Sequence, residues 1–143
     1  MADIVATAET EIDAPPARVW QALTDPAQIK EYMFGSSVET DWKPGSSITW
    51  KGSYGGKAYE DRGRVVDIKP EQLLVVTHFS PMSGLEDRPE NYHTLTYELE
   101  ERGGRTHLSL SQSGNPTEEA ATHARDNWSR MLDGLRALVE RDH

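Results

Sequence analysis

Residues 115–141 read NPTEEAATHARDNWSRMLDGLRALVER and have the pattern of one long amphipathic helix. Asn115 and Pro116 predict an N-cap followed by a first helical residue, Glu118 stands at the third helical position, and the helix should run to about Arg141. Its apolar residues recur at three- and four-residue steps and form one stripe: Ala121, Ala124, Trp128, Met131, Leu132, Leu135, Leu138 and Val139. Such a helix is about 38 Å long, so it needs a broad apolar surface to lie on.

The chain before this helix supplies that surface as β-structure. From about residue 38 to residue 113, short runs of β-branched and aromatic residues alternate with glycine, proline and acidic turns, which predicts a meander of antiparallel strands. Residues 3–12 alternate and predict a first strand. Two short helices should follow it, one opened by residues 13–16 and one capped by Asp25. The order of these elements is that of an α+β domain.

A Gly-Gly pair at residues 55–56 predicts the turn of a two-residue hairpin and so sets a register. With the residues beside the turn facing each other, Trp50 lies opposite Asp61, and both point to the inner face of the sheet. A carboxylate is costly to bury without a partner, so Asp61 should be hydrated in a cavity, paired with a cation or hydrogen-bonded to a ligand. The alternative is a strand edge open to water or a bulge that reverses the parity.

A second Gly-Gly pair, at residues 103–104, predicts another hairpin whose inner face begins apolar and ends polar. Along that face Leu99 faces Leu108, Tyr97 faces Leu110 and Leu95 faces Gln112, with His93 next in the line. His93 and Gln112 could hydrogen-bond the polar end of a ligand. His93 could equally be an ordinary half-exposed histidine.

Residues 73–79 form an apolar strand whose inward face the sequence leaves open. A tight turn before it would aim Val76 and His78 inward, whereas a bulge would aim Phe79 and its alternate neighbours inward. The polar segment 80–92 that follows could fold over the mouth of a cavity, or it could be a plain surface insertion.

Composition limits the classes of partner. The 143 residues include 15 Lys and Arg against 24 Asp and Glu, a net charge of −9, and this balance argues against nucleic acid or an anionic membrane as a partner. The chain has no cysteine, and its five histidines lack H-x-x-x-H or H-E-x-x-H spacing, so we expect no metal and no cofactor. The start of the chain lacks a secretory pattern and no apolar run is long enough for a bilayer, so we expect a cytoplasmic protein.

The run at residues 12–26, IDAPPARVWQALTDP, resembles the opening of SRPBCC (START/Bet v 1-like) proteins, particularly those akin to the activator of Hsp90 ATPase. Similar segments continue along nearly the whole chain: Pro44-Gly45, Gly63-Arg64-Val65, Lys69-Pro70-Glu71-Gln72-Leu73, and Trp128 with Met131-Leu132 and Leu135. The resemblance implies a single domain over residues 1–143 with the helix-grip (Bet v 1-like) fold. In that fold a curved antiparallel sheet wraps around the long C-terminal helix and leaves a small-molecule cavity between them.

These features predict a protein that binds a small hydrophobic or amphiphilic molecule with a polar end, between the sheet and the C-terminal helix. The candidate ligand-binding residues are Met33, Trp50, Asp61, Phe79, His93, Leu95, Tyr97, Leu110, Gln112, Trp128 and Met131. The aromatic and methionine residues among them would also serve as core. We expect a monomer or a weak homodimer.

Two alternatives remain. The resemblance also implies a chaperone-related interaction protein, although the full co-chaperone carries a further N-terminal domain for which 143 residues leave no room. A cyclase- or hydrolase-like enzyme could use Asp61 and His93 for proton transfer across the cavity. The sequence has neither a Gly-x-Ser-x-Gly elbow nor a phosphate-binding loop, so a binding protein is favoured over an enzyme.

Overall fold

The computed structural model describes residues 4–33, 35–54, 56–81 and 84–141. Within them, seven antiparallel strands form one curved sheet in the order β1-β7-β6-β5-β4-β3-β2. The strands are β1 (Ile4–Ile12), β2 (Ser37–Thr40), β3 (Ser47–Tyr54), β4 (Lys57–Lys69), β5 (Leu73–His78), β6 (His93–Arg102) and β7 (Arg105–Asn115). The helices are α1 (Pro16–Thr24), α2 (Pro26–Tyr32) and the long C-terminal α3 (Glu118–Arg141). This is the helix-grip architecture that the sequence predicted.

Both hairpin registers follow the turn chemistry. Trp50 faces Asp61 across β3 and β4, and Tyr97 faces Leu110 across β6 and β7, as predicted. The cap of α2 is also confirmed, because the Asp25 carboxylate accepts a hydrogen bond from the backbone N–H of Ala27. Local sequence determined these features because each depends on residues close together along the chain.

Strand β5 resolves the ambiguity of residues 73–79. Leu74 and Val76 are buried in the core, and His78 lies on the same face, as the tight-turn alternative predicted. Phe79 lies beyond the end of β5. It pairs with Arg62 in an isolated bridge and stacks on Tyr92, with ring centroids 5.2 Å apart, outside the main core cluster.

The start of α3 differs from the prediction. Asn115 is the last residue of β7, so it is not the N-cap. Thr117 takes that place, because its hydroxyl accepts from the N–H of Ala120 and its carbonyl from that of Ala121. The reason is that the Asn115 side chain is used elsewhere: its amide donates to the backbone carbonyls of Ile4 and Gln112.

The second half of α3 contributes most of this helix's buried residues to the core. Its residues from Met131 onward include the buried Leu132, Leu135 and Val139, and the helix packs on β1, β7 and the two short helices. The first half carries small side chains such as Ala120 and Ala124 instead. Because these side chains cannot fill the space above the sheet, a cavity remains on that side of the domain. No helix within the described ranges is long and apolar enough to cross a membrane.

Candidate functional site: a cavity between the sheet and the C-terminal helix

The cavity has a volume of about 1340 Å³ and lies between the first half of α3 and the inner face of the sheet. Strands β3 to β7 supply its floor, and the end of α2 and the segment after β5 supply parts of its rim. Glu119, His123 and Asp126 of α3 line it and are also exposed, so its mouth is open to solvent. The space is therefore accessible to a ligand from outside.

Apolar side chains from both layers form the walls of the cavity. Trp50 and Leu95 come from the sheet, Trp128 and Ala124 from α3, and Met33 from the end of α2. Because side chains alternate between the two faces along β3 and β6, Trp50 and Leu95 point inward. The three- and four-residue steps of α3 place Ala124 and Trp128 on the stripe that faces the sheet. Two tryptophans on opposite layers can hold a ring or an acyl chain between them.

Asp61 and His78 form a hydrogen-bonded pair inside this cavity. His78 Nε2 lies 2.9 Å from Asp61 Oδ2, and the two side chains are 20% and 17% exposed. When Asp61 is ionised it can only accept, so Nε2 carries the proton of that bond. The Trp50 ring contacts the His78 ring edge to face, with centroids 5.0 Å apart. The pair is thus held from the side by an aromatic ring.

The second oxygen of Asp61, Oδ1, is buried and has no hydrogen-bond partner among the described residues. Such a buried acceptor costs about 1–3 kcal/mol relative to a satisfied one. A carboxylate that is largely buried was expected to need a partner. In Asp61 one of the two oxygens has such a partner, His78. The other has no donor among the residues that the structure describes.

His93 lines the same cavity as Asp61 but is not hydrogen-bonded to it. It lines the cavity directly opposite His78 on the neighbouring strand. Its Nδ1 lies 2.8 Å from the carbonyl oxygen of Ser113, and because a carbonyl can only accept, Nδ1 is the donor. The hydrogen-bond partner of Asp61 is His78, a residue that only one of the two alternatives for residues 73–79 aimed inward and that was not among the candidate site residues.

A chain of amide hydrogen bonds closes one end of the cavity. Trp128 Nε1 donates to Gln112 Oε1 at 2.7 Å, and Gln112 Nε2 donates to Asn115 Oδ1 at 3.2 Å. Asn115 is only 2% exposed. The chain fixes the Trp128 ring against β7, so this wall of the cavity is well ordered.

Seven of the candidate ligand-binding residues line the cavity: Met33, Trp50, Asp61, His93, Leu95, Gln112 and Trp128. Four do not: Phe79, Tyr97, Leu110 and Met131. Tyr97 and Leu110 form the next inward-facing pair of the β6–β7 hairpin, two residues further along, where the sheet is covered and both are buried in the core. Met131 is fully buried, and Phe79 is on the outer side against Tyr92. Burial raises the pKa of the Tyr97 hydroxyl far above its ordinary range.

Several polar residues that line the cavity were not among the candidates predicted from the sequence. Ser36 and Tyr59, whose hydroxyls are hydrogen-bonded to each other, come from the segment before β2 and from β4. Asn127 and His123 come from the flank of α3. A signal existed for the helix residues, since positions 120, 123, 124 and 127 share one face at helical spacing. No local pattern marked Ser36.

The ionised groups of the lining are of one sign. The acids are Asp61, Glu119 and Asp126, and no lysine or arginine of the described chain lines the cavity. Within the same residues, no group of three or more histidine or acidic side chains is arranged to hold a metal ion. The described lining thus combines apolar walls with acidic groups.

Comparison with known proteins places the chain in a family. The model described as activator of Hsp90 ATPase homolog 1-like protein matches residues 13–140. The solution structure of ChR145 from Cytophaga hutchinsonii is 44% identical, with a TM-score of 0.86 and coverage of 99% of this chain and 98% of that one. No curated protein matches the chain.

More distant structures share the fold. The Aha1 dimer of Colwellia psychrerythraea is 20% identical, with a TM-score of 0.73 and 96% of both chains covered. CalU16 of Micromonospora echinospora is also 20% identical, with a TM-score of 0.73 and coverage of 100% of this chain and 87% of that one. Because the family model covers most of its length, the chain belongs to the activator of Hsp90 ATPase homolog 1-like family, and this membership implies a ligand-binding or chaperone-related function.

Proposed function

We propose that the protein binds a small amphiphilic molecule in the cavity between the first half of α3 and the sheet. The observation that carries this proposal is the size of the cavity, about 1340 Å³. Small-molecule sites span about 300–1,000 Å³, so the space suffices for a ligand of that class with its end at the open mouth. A domain with a solidly packed interface between helix and sheet would offer no such space.

The lining chemistry supports a ligand with two different ends. Trp50, Leu95 and Trp128 offer an apolar surface for a chain or ring. The Asp61–His78 pair offers hydrogen bonds at one place on the same surface. Ligand sites typically combine a mainly apolar wall with a few such polar groups.

Two measurements test the proposal. Native mass spectrometry of freshly purified protein should reveal a co-purified small molecule. Independently, the neutral fluorophore N-phenyl-1-naphthylamine should brighten on binding to the ligand-free protein. The variant Ala124→Trp fills the cavity from α3 and should abolish this brightening. Ala137→Trp, at an exposed position of the same helix, is the matched control and should leave it unchanged.

Two results would contradict the proposal. If the fluorophore does not bind the wild-type protein and no molecule co-purifies, the cavity is not a binding site. Binding that both tryptophan variants retain would place the fluorophore elsewhere on the surface.

A chaperone-related interaction is the second candidate, and family membership favours it. The net charge of −9 would suit a basic surface on a partner. Titration with purified Hsp90 at moderate salt tests it, and because this function would use the exterior, Ala124→Trp should bind as the wild type does. Absence of binding to Hsp90 would contradict this candidate. We expect a monomer or weak homodimer, which sedimentation at several concentrations would establish.

Proton transfer on the bound molecule is a third candidate, favoured by the hydrogen bond between Asp61 and His78. A carboxylate that orients an imidazole is a common arrangement for general acid–base chemistry. Once a co-purified molecule is known, Asp61→Asn should remove its turnover and leave its binding measurable. Unchanged turnover would contradict this candidate.

A further inference from the structure

Among the described acidic, lysine and arginine side chains, only acidic ones line the cavity, although the chain as a whole carries charges of both signs. The protein has 15 lysines and arginines, yet none of those that the structure describes lines the cavity, whereas Asp61, Glu119 and Asp126 do. A concave surface with charges of one sign and low-dielectric walls concentrates the potential of those charges. With the lining histidines His78, His93 and His123 neutral, the potential inside the cavity is therefore negative, which repels a carboxylate or a phosphate.

The three acids act at different depths. Glu119 and Asp126 are exposed at the mouth, where salt screens them. Asp61 is 17% exposed and lies on the floor. Its charge is therefore screened far less, and it is the group that a bound ligand meets.

Asp61 also retains unused hydrogen-bonding capacity. His78 supplies one N–H to Oδ2, whereas an ionised carboxylate accepts several hydrogen bonds. Oδ1 has no partner in the described chain. Oδ1 is shielded from solvent in the structure, so a ligand reaches it only after a turn about the soft Cβ–Cγ torsion, which also moves Oδ2 relative to His78. After such a turn, a ligand that brings a donor would satisfy the free oxygen.

Aromatic rings also line the cavity, one from the sheet and one from α3. Trp50 packs beside His78, the partner of Asp61, and Trp128 faces the cavity from α3. The face of an indole ring attracts a cation, most strongly where water is excluded. A cationic donor therefore gains from the carboxylate and from the rings, whereas a neutral hydroxyl gains only a hydrogen bond.

We propose that the ligand is a lipophilic amine, protonated at neutral pH, whose ammonium group binds at Asp61 and whose apolar part lies between Trp50 and Trp128. This inference rests on the proposed function and names its ligand class. An anionic amphiphile would have to bury its charge beside Asp61 with no lysine or arginine among the described lining residues, which is unfavourable. The selectivity follows from the head group alone, so it can be measured with ligands that share one apolar chain.

The experiment compares decylammonium, decanol and decanoate, each below its micelle concentration, by calorimetric titration of the wild-type protein. Decylammonium should bind at least about tenfold more tightly than decanol, because its charge is attracted both to the shielded Asp61 carboxylate and to the indole rings, whereas the neutral hydroxyl gains only a hydrogen bond, and decanoate should bind most weakly. Part of this preference should persist at high salt, because Asp61 is shielded. In Asp61→Asn the affinities for decylammonium and decanol should converge to within about threefold, since only the charge is removed.

Glu119→Gln combined with Asp126→Asn provides a second variant at exposed positions, where folding is not at risk. It should weaken decylammonium binding at low salt only and leave the order of the three ligands unchanged. Decanoate binding as tightly as decylammonium, or an unchanged preference in a folded Asp61→Asn, would overturn the amine assignment and leave the binding cavity intact. Failure of all three ligands to bind would instead contradict the proposed function itself.

Discussion

His78 Nε2 lies 2.9 Å from Asp61 Oδ2, although the two residues are 17 positions apart in sequence. They belong to neighbouring strands, β5 and β4, and meet at the floor of the cavity. The pair places an acidic group of the cavity floor against a ring that can donate a hydrogen bond to it. It is the centre of the candidate site.

The pair should be energetically coupled. His78→Ala leaves Asp61 without a hydrogen-bond partner for either oxygen, so it should cost about 1–3 kcal/mol in the free energy of unfolding. Combining it with Asp61→Asn should cost less than the sum of the two single variants, by about 0.5–3 kcal/mol. Urea unfolding of the four proteins completes the cycle, and strictly additive effects would show that the hydrogen bond contributes nothing.

Strand β4 approaches β5 closely at Gly63. A Cβ atom there would lie 1.8 Å from the backbone oxygen of Thr77, so Gly63→Ala should either prevent folding or cost more than about 4 kcal/mol. Gly134→Ala is the matched control, because its Cβ would have Tyr32 Cβ as its nearest neighbour, at an ordinary 3.4 Å. Within a helix that exchange should be neutral or stabilising by up to about 1 kcal/mol. Thermal unfolding compares them, and a stable Gly63→Ala protein would disprove the close approach.

Two buried tyrosines should make the protein sensitive to alkali. Burial raises the pKa of Tyr97, and burial followed by the nearby Tyr97 and Asp25 raises the pKa of Tyr32. Their contribution to stability is complete below a pH of about 10, the ordinary tyrosine pKa. It is lost as the pH rises above that value toward the folded-state pKa values, because the unfolded chain then releases protons that the folded chain keeps.

The slope of this loss can be measured. Each such tyrosine contributes about 1.4 kcal/mol per pH unit, so Tyr97→Phe should make the decline shallower by about that amount. Urea unfolding at several pH values above the tyrosine range gives the slope, and absorbance in concentrated urea should show all tyrosines ionising normally. An unchanged slope in the variant would contradict the raised pKa.

The start of α3 depends on Thr117. Its hydroxyl accepts from the Ala120 N–H at 3.0 Å, so Thr117→Ala should destabilise the protein by about 1 kcal/mol. Thr122→Ala, at an exposed position inside the helix, should be neutral or slightly stabilising. Chemical denaturation distinguishes them, and equal stabilities of the two variants would mean that the cap is dispensable.

Part of the candidate site could be predicted from sequence because it depends on hairpins. The Gly-Gly pair in the sequence predicted Asp61 opposite Trp50 on the inner face, and the structure has this pairing. The second hairpin likewise placed Leu95 opposite Gln112. Once a two-residue turn is fixed, the two-residue alternation of a strand decides the face of every side chain along it.

Other parts of the site depend on how distant elements meet. The face of β5 depended on the turn before it, and with that turn formed, Phe79 belongs to the outer side, where Tyr92 covers it. Tyr97 and Trp128 both lie on apolar stripes, yet only Trp128 borders the cavity. The difference depends on where along its length α3 begins to pack against the sheet.

The amino-acid sequence by itself determined the order of the elements, the two hairpin registers and the long apolar stripe of α3, because these follow from turn chemistry and side-chain periodicity within short segments. Only the tertiary structure decided that His78 is the partner of Asp61, that Thr117 caps α3, and which apolar residues line the cavity. Each of these depends on the distance between segments far apart in the chain, and that distance is set by the curvature of the sheet and by the packing of the second half of the helix.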